Sequence, residues 1–204
     1  MRRIALALAL GLALVAGGPV AAARSVDSPQ VEAIRSALLR LPYYGVFDFV
    51  AFSYDQGVVT LQGYAFHAPL KDDAERAVKR VAGVREVANT IEILPVSPLD
   101  DDLRWMTYYA IYSDPFLARY APGGGMPWGH RHGVPISPFG SGWRFPGLEP
   151  VGNYPIGIIV KGGRVTLMGV VDSESDKTLA GMRARDVIGS LAVENELTIH
   201  RPST

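Results

Sequence analysis

One pattern occurs twice in the chain, and this repeat constrains the fold more than any other feature. Residues 57–94 align without a gap to residues 163–200, and twelve of the 38 aligned positions are identical. The identical positions are mostly glycines and aliphatic residues of the kind that shape turns and strands. Self-similarity of this kind indicates a duplicated structural unit. We therefore predict two domains of the same fold.

Each copy predicts a hairpin, a helix and a final strand. Alternating apolar residues indicate half-buried strands, and glycine permits the positive φ of a tight hairpin turn. We expect structural roles for six glycines, including those at hairpin turns and helix ends: Gly57, Gly63, Gly83, Gly163, Gly169 and Gly189. The predicted elements of the two copies are strands 47–54 and 156–161, strands 58–65 and 164–171, helices 69–82 and 175–188, and strands 86–94 and 192–200.

A further helix precedes each hairpin. Apolar residues at helical spacing define its buried face: Val31, Ile34, Leu38 and Leu39 in the first copy, and Leu103, Met106, Ala110 and Ile111 in the second. The predicted fold class is therefore α+β, with two tandem αββαβ modules in which two helices pack on a three-stranded sheet. The modules span residues 28–96 and 98–201. The linker between them is so short that we expect them to be in contact.

The first 23 residues are typical of a secretory signal peptide. Arg2 and Arg3 precede an apolar run over residues 4–15, and small residues follow at 21–23, which predicts cleavage near Ala23. The apolar run is short for a membrane span, and an uncleaved anchor is the alternative. We expect a periplasmic protein, peripheral on a membrane if it binds one.

Composition excludes several classes of protein. The chain has no cysteine, so disulfides and thiol chemistry are absent. Basic and acidic residues number 20 each, and loss of Arg2 and Arg3 would leave a slightly acidic chain. Without a basic block, nucleic acid is a poor candidate partner.

Two heptapeptides in each copy resemble a known module. They are GVVTLQG at 57–63 with GVREVAN at 83–89, and GRVTLMG at 163–169 with GSLAVEN at 189–195. This order is similar to the BON module, named for bacterial osmotically inducible and nodulation proteins. The resemblance implies a non-enzymatic, stress-related envelope protein of the periplasm that binds phospholipid. It implies no catalytic residue, because the shared motif contains none.

The second leading helix carries an aromatic stripe that the first lacks. Trp105, Tyr108, Tyr109 and Tyr112 follow the i, i+3, i+4, i+7 spacing of one helix face. We assign the corresponding places in the first copy to Ala33, Ser36, Ala37 and Arg40. Trp and Tyr favour surfaces that are apolar at one end and wet at the other. The stripe therefore predicts binding to lipid or to a partner protein, and the alternative is that it packs against the other module or the insertion.

An insertion at 121–154 separates the second leading helix from its hairpin. It is rich in glycine and proline, shows no helix or strand period, and contains Trp128 and Trp143, which we add to the candidate binding residues. Long loops of this kind are usually functional or disordered. We expect it to fold partly over the aromatic stripe, and an exposed binding loop is the alternative.

No catalytic, cofactor or metal site is predicted. His130 and His132 lack the third and fourth ligands that a metal site requires. The aspartates at 100–102 lack the alternation of a calcium loop and follow Pro98 at a helix start, where acids are favoured. The predicted function is peripheral association with phospholipid through the second module. A protein-interaction adaptor without lipid affinity is the alternative.

Overall fold

The computed structural model describes residues 28–121, 149–151 and 154–200. The first module consists of α1 (Pro29–Leu39), β1 (Phe49–Asp55), β2 (Val58–Ala65), α2 (Ala68–Lys79), β3 (Glu86–Asn89) and β4 (Glu92–Ile93). The second consists of α3 (Pro98–Tyr112), a 3-10 turn (Ala118–Tyr120), β5 (Glu149–Val151), β6 (Ile156–Lys161), β7 (Arg164–Val171), α4 (Glu174–Arg185) and β8 (Ala192–Ile199). The predicted α+β fold of two αββαβ modules is confirmed. The predicted signal peptide lies outside the described residues.

Both modules share one sheet topology. β1 and β6 pair antiparallel with β2 and β7. In turn, β2 pairs parallel with β3 and β4, and β7 pairs parallel with β8. The single strand predicted at 86–94 is wrong in detail, because it is divided into β3 and β4, both paired with β2. The division lies opposite Gln62 and Gly63, whereas β8 pairs with β7 without a break.

The hairpin turns follow the prediction, whereas the helix ends do not. Gln56 and Gly57 have φ of +46° and +90°, and Gly162 and Gly163 have φ of +58° and +74°, the signs required by a two-residue type I′ turn. The helices end at Lys79 and Arg185, earlier than predicted. Gly83 and Gly189, at φ of +90° and +97°, therefore shape the turn after each helix instead of capping it directly.

The two modules pack sheet against sheet. In β1, Val50 and Phe52 join the core under α1 and α2, while Phe49 and Ala51 point to the opposite face. There they form one buried cluster with Ile159 and Met168 of the second module, together with Leu94. The resulting order is helices, sheet, sheet, helices, with the two helical faces outward on opposite sides. The predicted contact between modules is confirmed.

Backbone hydrogen bonds also join the two modules. The N–H of Ile158 donates to the carbonyl oxygen of Val46 at 2.8 Å, and β5 from the insertion pairs antiparallel with β1. The insertion, which shows no strand period in its sequence, thus contains a short strand at Glu149–Val151. Three residues with a central proline are too short to show the two-residue period by which strands are recognised.

Candidate functional site: the aromatic helix of the second module

Helix α3 begins at a hydrogen-bonded cap that also holds the second hairpin. Ser97 is the N-cap and accepts from the N–H of Asp100 at 3.2 Å. The buried carboxylate of Asp100 accepts from the N–H groups of Gly162 and Gly163, each at 2.8 Å. The prediction that the aspartates at 100–102 lie at the start of a helix is correct. The tether to the hairpin turn was not foreseeable, because its partners lie about sixty residues away.

Arg104 fixes α3 to both modules. Its side chain is fully buried, with one guanidinium nitrogen donating to the carbonyl oxygen of Val160 at 2.7 Å and another contacting Asp101. The guanidinium lies 4.7 Å from the ring centroid of Phe66, a residue of the first module. Such stacking is favourable for a desolvated cation. Arg104 is therefore an inter-module anchor that hydrophobic periodicity does not reveal.

Burial of Arg104 changes which face of α3 points inward. The core face was predicted from Leu103, Met106, Ala110 and Ile111, and this prediction is wrong for Met106, which is 43% exposed. The polar side chains of Arg104 and Thr107 are buried instead. The helix is rotated relative to the predicted orientation because a buried arginine with its own partners replaces an apolar residue.

The structure also corrects the alignment of the two leading helices. Ser28 caps α1 as Ser97 caps α3, and a proline follows each. Glu32 contacts the buried Arg35 as Asp101 contacts Arg104. These pairs set an offset of 69 residues, three fewer than our sequence comparison used. Four exposed or partly exposed positions of α1 thus correspond to four of α3: Ala33 to Asp102, Ser36 to Trp105, Ala37 to Met106 and Arg40 to Tyr109.

The four predicted aromatics do not share one environment. Trp105 is 51% exposed and Tyr109 is 63% exposed, whereas Tyr108 is partly buried. Tyr112 is buried, and its hydroxyl donates to the carbonyl oxygen of Ile156 at 2.6 Å. Burial raises its pKa well above the usual value. The predicted outward direction is therefore wrong for Tyr112, because the 3-10 turn after α3 and the core beneath it enclose that end of the helix.

One side of the Trp105 ring packs against other aromatic side chains, and the other side is exposed to solvent. Its ring meets Phe47 of the first module edge-on at 5.1 Å between centroids, and Tyr108 at 5.6 Å. The alternative that the stripe packs against the other module is correct for this side of the ring. The remaining half of Trp105 faces solvent. A half-exposed indole on a rigid support requires little ordering when it contacts a binding surface.

Exposed apolar residues on two helices form what we call the aromatic face: Trp105, Met106 and Tyr109 of α3, and Met182 of α4. Met182 is 50% exposed. Helix α4 is joined to the end of α3 by Arg183, whose Nε donates to Asp114 Oδ2 at 2.8 Å. The only cation of α3, Arg104, is buried, and Asp102 is exposed beside the aromatic residues. Binding at this face would depend on apolar contact more than on attraction of anions.

The polar residue shared by both copies serves the fold. Asn89 Nδ2 donates to the carbonyl oxygen of Lys71 at 2.8 Å, and Asn195 Nδ2 donates to that of Lys177 at 2.7 Å. Asn89 therefore joins β3 to α2, and Asn195 joins β8 to α4. Sequence comparison found these residues by their identity but did not assign them this contact.

The other candidate residues from the sequence are not among those that the structure describes. Trp128, Trp143, His130 and His132 lie outside the described residues. Within residues 28–121, 149–151 and 154–200, no group of three or more His, Asp or Glu side chains is placed to hold a metal ion. Over the same residues, no helix has the length and apolar character needed to cross a membrane.

Comparison with known proteins agrees with this fold. The topology defines a class of protein that is built from tandem αββαβ modules. The BON domain matches residues 27–95 and 149–201, more than half of the chain. The chain therefore belongs to the BON domain family.

Two similar solved structures, both of CdsD from Chlamydia trachomatis, are described as a structural protein of the type III secretion system. The C-terminal domain of CdsD shares 12% identity at a TM-score of 0.26, covering 84% of this chain and 97% of that one. The other shares 13% identity at a TM-score of 0.25, covering 83% and 91%. Among curated proteins, no significant match is found.

Proposed function

We propose that the chain is a non-enzymatic protein of the periplasm that associates peripherally with phospholipid membranes through the aromatic face of its second module. The observation that carries this proposal is the exposure of Trp105 and Tyr109 on a helix held rigidly by Arg104 and Phe47. Trp and Tyr are enriched at the boundary between acyl chains and water. Apolar side chains on an anchored helix can enter that boundary without unfolding of the module.

The sequence of the insertion supports the same proposal. Between residues 122 and 148 it contains two arginines, two histidines and no acidic residue. Trp128 and Trp143 lie in the same segment. Aromatic residues interspersed with cations suit a surface of phosphate head groups above an apolar layer. The two arginines would add some attraction to phosphate, which the aromatic face lacks.

A protein-interaction adaptor of the envelope without lipid affinity is the second candidate. The exposed Asp102 beside Trp105 favours it, since an acidic group disfavours contact with anionic lipid. Tryptophan and tyrosine are also the residues that most often dominate binding energy in protein interfaces. An experiment is therefore needed to distinguish a lipid partner from a protein partner.

Flotation with vesicles tests the proposal. We expect the purified protein to float with vesicles of phosphatidylethanolamine and phosphatidylglycerol, and the double variant Trp105→Ala, Tyr109→Ala to bind at least about tenfold more weakly. A factor of ten corresponds to about 1.4 kcal/mol, which is within reach of losing two large apolar contacts. Tyr43→Ala is the matched control, because Tyr43 is an exposed tyrosine of the first module.

Equal flotation of the double variant and the wild type would refute docking through the aromatic face. If the wild type fails to float on either anionic or phosphatidylcholine vesicles, lipid association itself is wrong. A pull-down from envelope extract that loses a defined protein on the same double substitution would then support the adaptor.

A further inference from the structure

The helical face of the first module contains a groove. It lies between α1 and α2 and has a volume of about 530 Å³. Small side chains form much of its wall along α1, and arginines border it on both helices. The residues that matter here are Ala33, Ser36, Ala37, Arg40, Arg76 and Arg80.

The same positions form the aromatic face in the second module. Ser36, Ala37 and Arg40 correspond to Trp105, Met106 and Tyr109 by the offset of the leading helices. Arg76 and Arg80 correspond to Met182 and Asp186 by the offset of the repeat. Where the first module is small or cationic, the second is therefore large, aromatic or anionic. The corresponding surfaces of the two modules therefore differ in side-chain size and charge.

The charges of the two surfaces are opposite. Arg76 contacts Asp73, while Arg40 and Arg80 form no salt bridge within the part of the chain that the structure describes. Beside the aromatic face lie two exposed acids, Asp102 and Asp186, of which Asp186 also pairs with Arg183 at 3.6 Å. Guanidinium groups also bind the faces of indole and phenol rings. The groove thus offers cations for both the acids and the rings of the aromatic face.

The groove and the aromatic face cannot meet within one molecule, because the sheets lie between the two helical faces. We propose that the aromatic face of one molecule docks in the groove of a second copy. Such a contact joins two different surfaces, so it produces head-to-tail assemblies. It also occupies the residues proposed to bind lipid, and self-association and membrane docking then compete for one face.

Sedimentation of groove variants tests the proposal without altering the aromatic face. We expect concentration-dependent self-association of the wild type below about 100 μM, in the range of weak specific interfaces. Ala37→Trp fills the groove, and the double variant Arg40→Glu, Arg80→Glu reverses its charge. Each should raise the dissociation constant at least about tenfold. Ala88→Trp is the control, because Ala88 is exposed on β3, outside the groove.

Cross-linking identifies the two surfaces directly, because the chain has no cysteine of its own. A protein with Ala37→Cys is mixed with one carrying Tyr109→Cys and oxidised. We expect mixed disulfide dimers well above the level given by Ala88→Cys with Tyr109→Cys. Equal yields in the two mixtures, or a wild type that stays monomeric at about 100 μM, overturn the proposal.

Flotation of Ala37→Trp keeps this proposal distinct from lipid binding. The variant retains the aromatic face, so it should float at least as well as the wild type. Retained flotation together with lost self-association supports the proposal. Loss of flotation in step with self-association would contradict the use of separate surfaces for the groove and for lipid.

Discussion

Replacing Gly63 with alanine is expected to lower the free energy of unfolding by about 3 to 5 kcal/mol, combining backbone strain with a steric clash. Gly63 has a φ of +135°, and a Cβ atom there would lie 2.9 Å from the carbonyl carbon of Phe49 and closer still to its oxygen. The clash is with backbone across the β1–β2 ladder, which side-chain movement cannot relieve. Gly169 has the same relation to Pro155, so Gly169→Ala should behave alike.

Gly162→Ala is the matched control for this prediction. Gly162 has a φ of +58°, and nothing lies within 4 Å of the place its Cβ would take. Its substitution should cost only about 1 to 2 kcal/mol, the cost of the left-handed conformation alone. Urea unfolding followed by circular dichroism measures both. Similar losses for Gly63→Ala and Gly162→Ala would show that close packing of β1 on β2 is not what requires glycine.

Removing Arg104 is the second large effect that we expect. Arg104→Ala should lower the free energy of unfolding by about 3 kcal/mol or more, because it opens a cavity beside Phe66 and removes a charged hydrogen bond to Val160. Asp101 contributes little to this loss, since its carboxylate is partly solvated. Arg104→Met keeps most of the packing and should lose about half as much.

The location of Arg104 makes a second measurement informative. Since Arg104 contacts Phe66 across the module boundary, hydrogen exchange should rise at that boundary in Arg104→Ala, including the N–H of Ile158, which donates to Val46. Arg80→Met is the control at an exposed arginine and should stay within about 0.5 kcal/mol of the wild type. A stability of Arg104→Ala equal to that of Arg80→Met would exclude the anchoring role.

Local rules were enough to predict the architecture from the sequence. The duplication is visible because glycines at 57, 63, 163 and 169 meet the same backbone requirements in both copies. Apolar residues located the hairpin strands, although β1 and β6 are buried on both faces and not on one as alternation predicts. The turn residues then fixed the order of elements. Each of these signals depends on neighbours within a few residues, which is the range that a single sequence conveys.

The orientation of α3 depends on distant partners, and helical periodicity alone does not predict it for that reason. Arg104 is buried because Val160 and Phe66 receive its guanidinium. Apolar periodicity placed Met106 on the buried face of α3 in place of Arg104. The alignment of α3 with α1 was therefore shifted by three residues. The pairing of Glu32 with Arg35 and of Asp101 with Arg104, visible in the sequence, was the signal that would have corrected it.

The candidate site was predicted in part. The outward direction predicted for Trp105 and Tyr109 is correct, and that predicted for Tyr112 is wrong. Helical spacing gives the direction of a side chain around the helix axis, but it does not show that other residues bury the C-terminal end of α3. The groove of the first module was not predicted. It arises from the packing of α1 on α2, and its small residues suggest no cavity until both helices are placed.

Fluorescence of Trp105 tests the central claim most directly. In the variant Trp128→Phe, Trp143→Phe, Trp105 is the remaining tryptophan, and its emission is followed as vesicles containing brominated phospholipid are added. Docking of the aromatic face predicts a shift to shorter wavelength and strong quenching by bromine placed near the head groups. Vesicle binding with unchanged, unquenched Trp105 emission would contradict the account.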